Sequence, residues 1–156
     1  PMNELRAFAD GRWAEFAGLD RCPLADADDQ LGERQDGQLH GGMFGGEPTH
    51  FGLYPGGEAT PGGLTVWGLG EVGGGVEARE PAPSPTALSE LGEADAVISS
   101  ELGPDWSQEL WPEHGLVLHR RDDRIAVVFG LKPFTIERWE SDPLRWWRIE
   151  RRPTRR

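Results

Sequence analysis

Histidines beside acidic residues are the first candidates for chemistry in this sequence. Glu113 and His114 are adjacent, and His119 follows after four more residues. Histidine changes its charge near neutral pH, so either ring could act in acid–base catalysis with Glu113 or Glu109 as the carboxylate. With Trp139 as an apolar wall, His114 and His119 define a candidate pocket for a small enzyme or a ligand-binding protein. The competing interpretation is that both histidines are ordinary surface residues.

A second cluster has the residue types of a metal site. His40, Glu47 and His50 lie within eleven residues, and imidazoles with a carboxylate can bind zinc. Their spacing matches no helical zinc signature, and the surrounding glycines would hold ligands poorly. We therefore expect exposed loop residues here and no metal. Cys22 is the only cysteine, so it has no companion for a disulfide or a thiolate site.

The stretch VWGLGEVG contains the pattern G-x-G-x-x-G directly after a predicted strand. A nucleotide-binding loop of this type needs a helix after the glycines, because the helix N-terminus binds the pyrophosphate. Here the glycines are followed by VEAREPAP, in which Pro81 and Pro83 prevent that helix. We expect Gly68, Gly70 and Gly73 to lie in or beside a β-turn that binds no phosphate.

Other common catalytic signatures are absent from the sequence. It has no G-x-S-x-G nucleophile motif, no Walker loop, no H-E-x-x-H motif and no ladder of Cys and His. These absences argue against a common hydrolase or kinase and leave an unusual enzyme open. No cofactor is expected.

Aromatic and acidic residues alternate in the stretch PDWSQELWPEHG. Tryptophan is enriched at binding hot spots, and acidic rims steer basic partners. We expect this stretch to form an exposed connection between strands, with Trp106 and Trp111 as anchors and Asp105, Glu109 and Glu113 as the rim. Ordinary core packing is the alternative for each tryptophan.

The charge is strongly negative and unevenly distributed. The chain carries 16 Lys and Arg against 27 Asp and Glu, a formal net charge of −11. Residues 137–156 contain seven arginines and four acids, so the remaining chain carries −14. A surface of this sign repels nucleic acid and anionic lipid and attracts basic proteins. No apolar segment is long enough for a signal peptide or a membrane span, so a cytoplasmic location is expected.

The elements that would position these residues begin with helices. Apolar residues at helical spacing predict an amphipathic helix over 3–17. Two shorter helices are predicted at 23–32 and 84–92, each with proline near its start and glycine just past its end. Both of these close with Leu-Gly-Glu.

Strands account for most of the remaining chain. Residues 41–63 are too rich in glycine and proline for a helix, so THFGLYP and the following GLTVW are predicted as strands. In the second half the β-branched and apolar runs predict strands at 94–100, 115–120, 124–131 and 134–140, with Asp122-Asp123 as a tight hairpin turn. Residues 141–152 fit a strand slightly better than a helix.

These elements predict an α+β fold in which an N-terminal helix precedes two short units of helix plus antiparallel strands. We expect the strands to form one continuous sheet or two abutting sheets, with the helices on one face. Taking Met2 as the native start, we expect one compact domain over 2–156, with sub-units 2–80 and 84–156 as the alternative. The proline-rich segment 78–85 would join them as an extended connector. Residues 63–81 and 115–133 match at four of nineteen positions, which leaves an internal duplication open.

Two classes of function fit these observations. The first is a non-enzymatic protein-binding module with a basic protein partner, and a cognate inhibitor such as a toxin immunity protein is its sharpest version. The second is a small enzyme or ligand-binding protein with a tryptophan-lined apolar pocket. No oligomeric state follows from the sequence.

Overall fold

A computed structural model describes residues 4–19, 22–39, 49–69, 72–100 and 102–141. Within these ranges the chain forms helices and antiparallel strands, which confirms the predicted α+β class. The helices are α1 (Glu4–Ala9), α2 (Leu24–Leu31), α3 (Pro85–Leu91) and α4 (Ile136–Ser141). The strands are β1 (Cys22–Pro23), β2 (Gln35–Leu39), β3 (Thr49–Tyr54), β4 (Leu64–Leu69), β5 (Val72–Arg79), β6 (Ala96–Ser99), β7 (Ser107–Trp111), β8 (Leu116–Arg121) and β9 (Arg124–Gly130). Two short 3-10 turns cover Trp13–Glu15 and Pro112–His114.

The strands form one sheet in the order β2-β3-β4-β5-β9-β8-β7-β6, and β1 adds a short pairing to β5. Every pairing between neighbours is antiparallel. Each half of the chain contributes a run of strands in which sequence neighbours are also neighbours in the sheet. The β5–β9 pairing joins the two halves, so the sheet is continuous between them.

The two central hairpins are related by a constant offset. Leu64 and Leu116 begin β4 and β8, which sets this offset at 52 residues. The β4–β5 register shifts just after Trp67, and the β8–β9 register shifts just after His119, at the same offset. At the junction of the halves Glu77 pairs with Phe129, again 52 residues apart. The registers are therefore related by a local two-fold axis through this pair, and an internal duplication stays open.

Alternating residues of the sheet contribute to two cores. The first core lies between the sheet and helices α1, α2 and α3. It includes Phe8, Trp13 and Phe16 from the N-terminal segment and Leu116, Leu118 and Val128 from the central strands. The second core lies on the opposite face, where α4 contributes Trp139, so the expectation of helices on one face only is wrong. Its sheet residues are Trp67, Leu110, Val117, Val127 and Phe129.

The helix predicted over 3–17 is interrupted. α1 ends at Ala9, and the chain turns at Gly11, whose φ of +77° lies in the left-handed region. A Cβ at this position would lie 2.5 Å from the Cβ of Ala59, so the turn requires glycine for both reasons. Trp13 and Phe16 are fully buried as the helical spacing suggests, although they follow the turn rather than extend the helix.

The strand predicted over 134–140 is wrong, because residues Ile136–Ser141 form α4. Thr135 caps this helix: its Oγ1 accepts the backbone N–H of Arg138 at 3.1 Å. Trp139 is the buried residue of the helix, while Glu137, Arg138 and Glu140 are exposed. In a helix of only six residues, the apolar pattern is too short to distinguish the helical period of 3.6 from the strand period of 2. Residues 142–156, with the ambiguous C-terminal segment, lie outside the described residues.

Several turn predictions are confirmed. α2 and α3 end directly before Gly32 and Gly92, which have φ of +95° and +76°. Asp122 and Asp123 form the two-residue turn between β8 and β9, and Asp122 has a φ of +54°. The connector predicted over 78–85 is shorter than expected, because β5 continues to Arg79.

Candidate functional site

The predicted docking stretch forms part of the sheet. Ser107–Trp111 is strand β7, which pairs with β6 on one side and β8 on the other. Trp111 is 5% exposed and belongs to the first core. The expectation of an exposed connection is therefore wrong for this strand. The strand was missed because polar Gln and Glu conceal its alternation, although Gln108 is fully buried.

The five residues of the predicted docking site are spread along β7. Asp105 is exposed in the turn before the strand. Trp106 is half-buried, and its ring centroid lies 4.9 Å from the guanidinium carbon of Arg121. Glu109 is in the middle of the strand, where it pairs with Arg120 at 3.6 Å. Glu113 is exposed in the 3-10 turn after the strand. The strand separates Asp105 from Glu113 by roughly 20 Å, so the site has no single centre.

His119 lies on the α4 face of the sheet and is 2% exposed. Its Nδ1 lies 2.8 Å from Oγ of Ser100, which is 7% exposed. The Ser100 Oγ also accepts the backbone N–H of Leu102 at 3.1 Å. The His119 ring packs edge to face against Phe129, with 5.9 Å between ring centroids. Serine beside histidine has the types of a nucleophile and its base, but burial keeps both groups from a substrate in this state.

Trp139 reaches the neighbourhood of His119 through a buried glutamine. The indole N–H of Trp139 donates to Oε1 of Gln108 at 2.8 Å, and Nε2 of Gln108 donates to the carbonyl of Ser99 at 3.1 Å. Gln108 is also the cross-strand partner of His119. Two of the three predicted pocket residues, His119 and Trp139, are thus brought together. Gln108 and Ser100 are polar members of this cluster that the sequence analysis missed.

The third predicted pocket residue, His114, is placed elsewhere. Its Nδ1 lies 2.7 Å from the backbone carbonyl of Phe16, so this nitrogen carries the proton and donates it. Phe16 belongs to the first core, whereas His119 packs against the second. His114 therefore fastens the N-terminal segment to the 3-10 turn after β7, and the three residues do not form one pocket.

The glycine motif lies in the hairpin between β4 and β5. Gly68 pairs with Gly73, and Leu69 pairs with Val72. Gly70 itself lies outside the described residues. β5 follows the hairpin, so the helix that a nucleotide-binding loop requires does not occur at this point. Strands lie on both sides of the motif, as expected, and the absence of phosphate binding stays a prediction.

His40 and Glu47 of the expected loop cluster lie outside the described residues. The backbone of His50 is part of β3, where it pairs with Gly68. Among the described residues no group of three or more His, Cys, Asp or Glu is arranged to hold a metal ion. In the same part of the chain, no helix combines the length and apolarity needed to cross a membrane.

Charge compensation on the surface is one-sided. The seven arginines described before α4 all have partners: six form ion pairs with carboxylates, and Arg121 packs on Trp106. Many carboxylates have no such partner. In the described part of the chain, eleven exposed acidic residues form no ion pair: Asp26, Asp29, Glu33, Glu58, Glu90, Glu93, Asp95, Asp105, Glu113, Asp122 and Asp123. The uncompensated charge of the described surface is therefore strongly negative.

Comparison with protein-family models finds no match, and comparisons with curated proteins and with solved structures find none either.

Proposed function

We propose that this protein is a non-enzymatic binding module whose acidic surface recognises a basic protein. The observation that carries the proposal is the one-sided charge compensation, in which the arginines before α4 are engaged and eleven exposed carboxylates are not. Such carboxylates are available to a partner without the loss of an internal ion pair. A cognate inhibitor, such as an immunity protein that covers a basic toxin, is the sharpest version of this function.

Electrostatics supports a protein partner more than a nucleic acid or a membrane. Nucleic acids and anionic lipid surfaces carry the same sign as this surface, so their approach is unfavourable. A basic protein would be steered toward it, and association would become faster as the salt concentration falls. The acidic residues occur on and beside α2 and α3 and in turns between strands, which suits a broad contact.

The pocket alternative has less support. It needs His114, His119 and Trp139 around one cavity, and the hydrogen bond of His114 to Phe16 lies in a different part of the molecule. His119 and Ser100 are buried and already bonded to each other. The enzyme hypothesis therefore lacks an accessible pair of reacting groups at His119 and Ser100.

Isothermal titration calorimetry against a panel of basic proteins tests the proposal. The panel includes the products of the genes that flank this one and unrelated basic proteins of similar size. We expect one member to bind one-to-one with nanomolar affinity, which falls about tenfold or more between about 0.1 M and about 0.5 M salt. Uniform weak binding to the whole panel, or binding by none, contradicts a cognate partner.

A matched pair of variants separates specific recognition from bulk charge. Glu90→Gln/Glu93→Gln/Asp95→Asn neutralises acids around one helix end, while Asp26→Asn/Asp29→Asn/Glu33→Gln removes the same charge from the other helix. A cognate interface makes the two variants differ in affinity. Equal small losses in both indicate that only net charge matters, which contradicts the proposal.

A further inference from the structure

Strand β6 forms one end of the described sheet. It pairs with β7 through Ala96 with Leu110 and Ile98 with Gln108, and no described strand lies on its other side. The backbone N–H of Ser100 donates to the carbonyl of Trp106 at 3.2 Å, which continues the same register. Even-numbered residues of β6 therefore form the hydrogen bonds to β7.

In an antiparallel pairing the intervening residues direct their backbone groups away from the partner strand. For β6 these residues are Val97 and Ser99. The carbonyl of Ser99 accepts from the side chain of Gln108 at 3.1 Å. The N–H and carbonyl of Val97 and the N–H of Ser99 remain directed outward, where an added strand could bond to them.

The same edge carries an exposed apolar side chain. Val97 is 63% exposed and is one of two large hydrophobic residues that are exposed in the described part of the chain. On an edge strand this residue can contact the alternate side chains of an added strand. The edge therefore offers backbone hydrogen bonds together with a small apolar contact, the combination by which extended peptides add to a sheet.

Acidic residues flank β6 at both ends. Glu93 and Asp95 precede the strand, and Asp105 lies in the turn that follows it. All three are exposed, and none forms an ion pair with another described residue. Pairing of two copies through this edge would bring their acidic flanks together, which is unfavourable. A basic strand would instead place its positive side chains beside these carboxylates.

We propose that the outer edge of β6 binds an extended basic segment of the partner protein as an additional antiparallel strand. This proposal rests on the proposed function and specifies where and how the partner is recognised. Backbone hydrogen bonds to Val97 and Ser99 give the affinity, and Val97 contacts an apolar residue of the segment. Glu93, Asp95 and Asp105 select basic flanking residues over acidic ones.

The probe is a blocked synthetic peptide, Arg-Val-Lys-Val-Arg-Val-Lys, titrated into the isotope-labelled full chain. We expect the amide resonances of Val97 and Ser99 to shift most and their hydrogen exchange to slow. Two control peptides keep the length. One replaces each basic residue by Glu, and one methylates the backbone nitrogens that would bond to β6. Each should bind about tenfold more weakly or worse.

Variants of β6 provide the matched test. Val97→Pro should reduce peptide affinity about tenfold, because it removes the outward N–H that would bond to the added strand. The variant should still fold, because proline is tolerated on an edge strand whose N–H faces solvent. Val97→Thr keeps the N–H and the strand preference, so it should retain affinity within about threefold. Circular dichroism establishes that each variant is folded, and the methylated peptide tests the same hydrogen bonds without any variant.

The outcomes separate the two proposals. Resonance shifts centred away from β6, or equal binding of the methylated and plain peptides, overturn the edge proposal. A basic protein that binds the Val97→Pro chain as tightly as the unchanged chain also overturns it, while the proposed function stands. Failure of every basic protein to bind the unchanged chain contradicts the proposed function itself.

Discussion

Trp67 and His119 occupy equivalent positions in the two halves of the sheet, each directly before a register shift. Their cross-strand partners differ: Trp67 faces Gly75, whereas His119 faces Val127. A Cβ at Gly75 would lie 2.6 Å from Cζ2 of the Trp67 ring. The larger Trp67 ring thus requires glycine as its partner, whereas the smaller His119 ring leaves space for the side chain of Val127. The two pairs therefore fill equivalent positions with different combinations of side-chain volume.

This relationship predicts a strong steric effect at Gly75. Gly75→Val should lower the free energy of unfolding by about 1–3 kcal/mol, because the added methyl groups overlap the Trp67 ring. Valine is otherwise the better strand residue, so packing alone sets the sign. Urea denaturation measures the change. In a Trp67→His background, which copies the His119–Val127 pair, the same substitution should cost less, and equal costs in both backgrounds contradict this explanation.

Burial reverses the expectation for the tryptophan at the end of β7. Trp111→Ala should cost about 3–5 kcal/mol of unfolding free energy, as for large buried aromatic residues. Trp111→Phe is the matched control: it keeps most of the volume and removes an indole N–H that has no acceptor among the described residues, so its cost should be much smaller. Denaturant melts followed by circular dichroism compare the two. A loss below about 1 kcal/mol for the alanine variant contradicts the core assignment.

Trp106 should respond differently because it is half-buried and packs against Arg121. Trp106→Ala should cost about 1 kcal/mol or less through the cation–π contact, plus the loss of its partial burial. Arg121→Gln removes only the cation. If the contact stabilises the protein, the two substitutions are non-additive in the double variant. Additive losses would show that the ring contributes through packing alone.

The single tyrosine gives a pH test of the contact between α2 and the sheet. Tyr54 is 3% exposed, its hydroxyl donates to Oδ1 of Asp28 at 2.9 Å, and Arg34 bonds to both oxygens of that carboxylate. Burial raises the pKa of Tyr54 to about 12, and the bond to Asp28 contributes to the rise while Arg34 opposes it. Near-ultraviolet absorbance of tyrosinate reports this residue alone, since the chain has one tyrosine.

We expect the absorbance midpoint near pH 12 in the folded protein and about 10 in concentrated urea. The unfolded state ionises first, so the contribution of Tyr54 to stability is complete below about pH 10 and is lost as pH rises through the folded pKa. In that window stability should fall by up to about 1.4 kcal/mol per pH unit more than in Tyr54→Phe. A folded-state midpoint near 10 contradicts the burial of the hydroxyl.

Local signals in the sequence predicted the elements with the clearest chemistry. The proline and glycine residues that bound α2 and α3, and the β-branched and apolar runs of β8 and β9, were sufficient because each signal depends on neighbouring residues. β7 could not be predicted in this way, since Gln108 is buried through contacts with Ser99 on β6, nine residues away, and with Trp139 on α4, 31 residues away. The turn at Gly11 likewise depends on Ala59, nearly fifty residues away.

The grouping of the candidate site residues depends on contacts of the same kind, between residues that are distant in sequence. Residue types indicated that His114, His119 and Trp139 could act together, but the sheet register decides which of them meet. The acidic surface was predictable from composition, whereas the edge of β6 depends on the strand order. Recognition that uses backbone groups of an edge strand has no residue-type signature.

The hydrogen bond from Trp139 to Gln108 predicts how α4 is held on the sheet. Gln108→Met keeps the approximate volume but removes the acceptor for the buried indole N–H and the donor to Ser99. Lost partners of buried polar groups cost about 1–3 kcal/mol, so the variant should be destabilised by this amount. Trp139→Phe removes the indole N–H from the other side. In the double variant the two losses should be less than additive, with a coupling of at least about 0.5 kcal/mol.

Hydrogen exchange gives an independent measurement: in Gln108→Met the amides of α4 should exchange faster, while those of α2 on the opposite face stay unchanged. Uniform acceleration in both helices would mean that Gln108 supports the whole sheet and not the docking of α4.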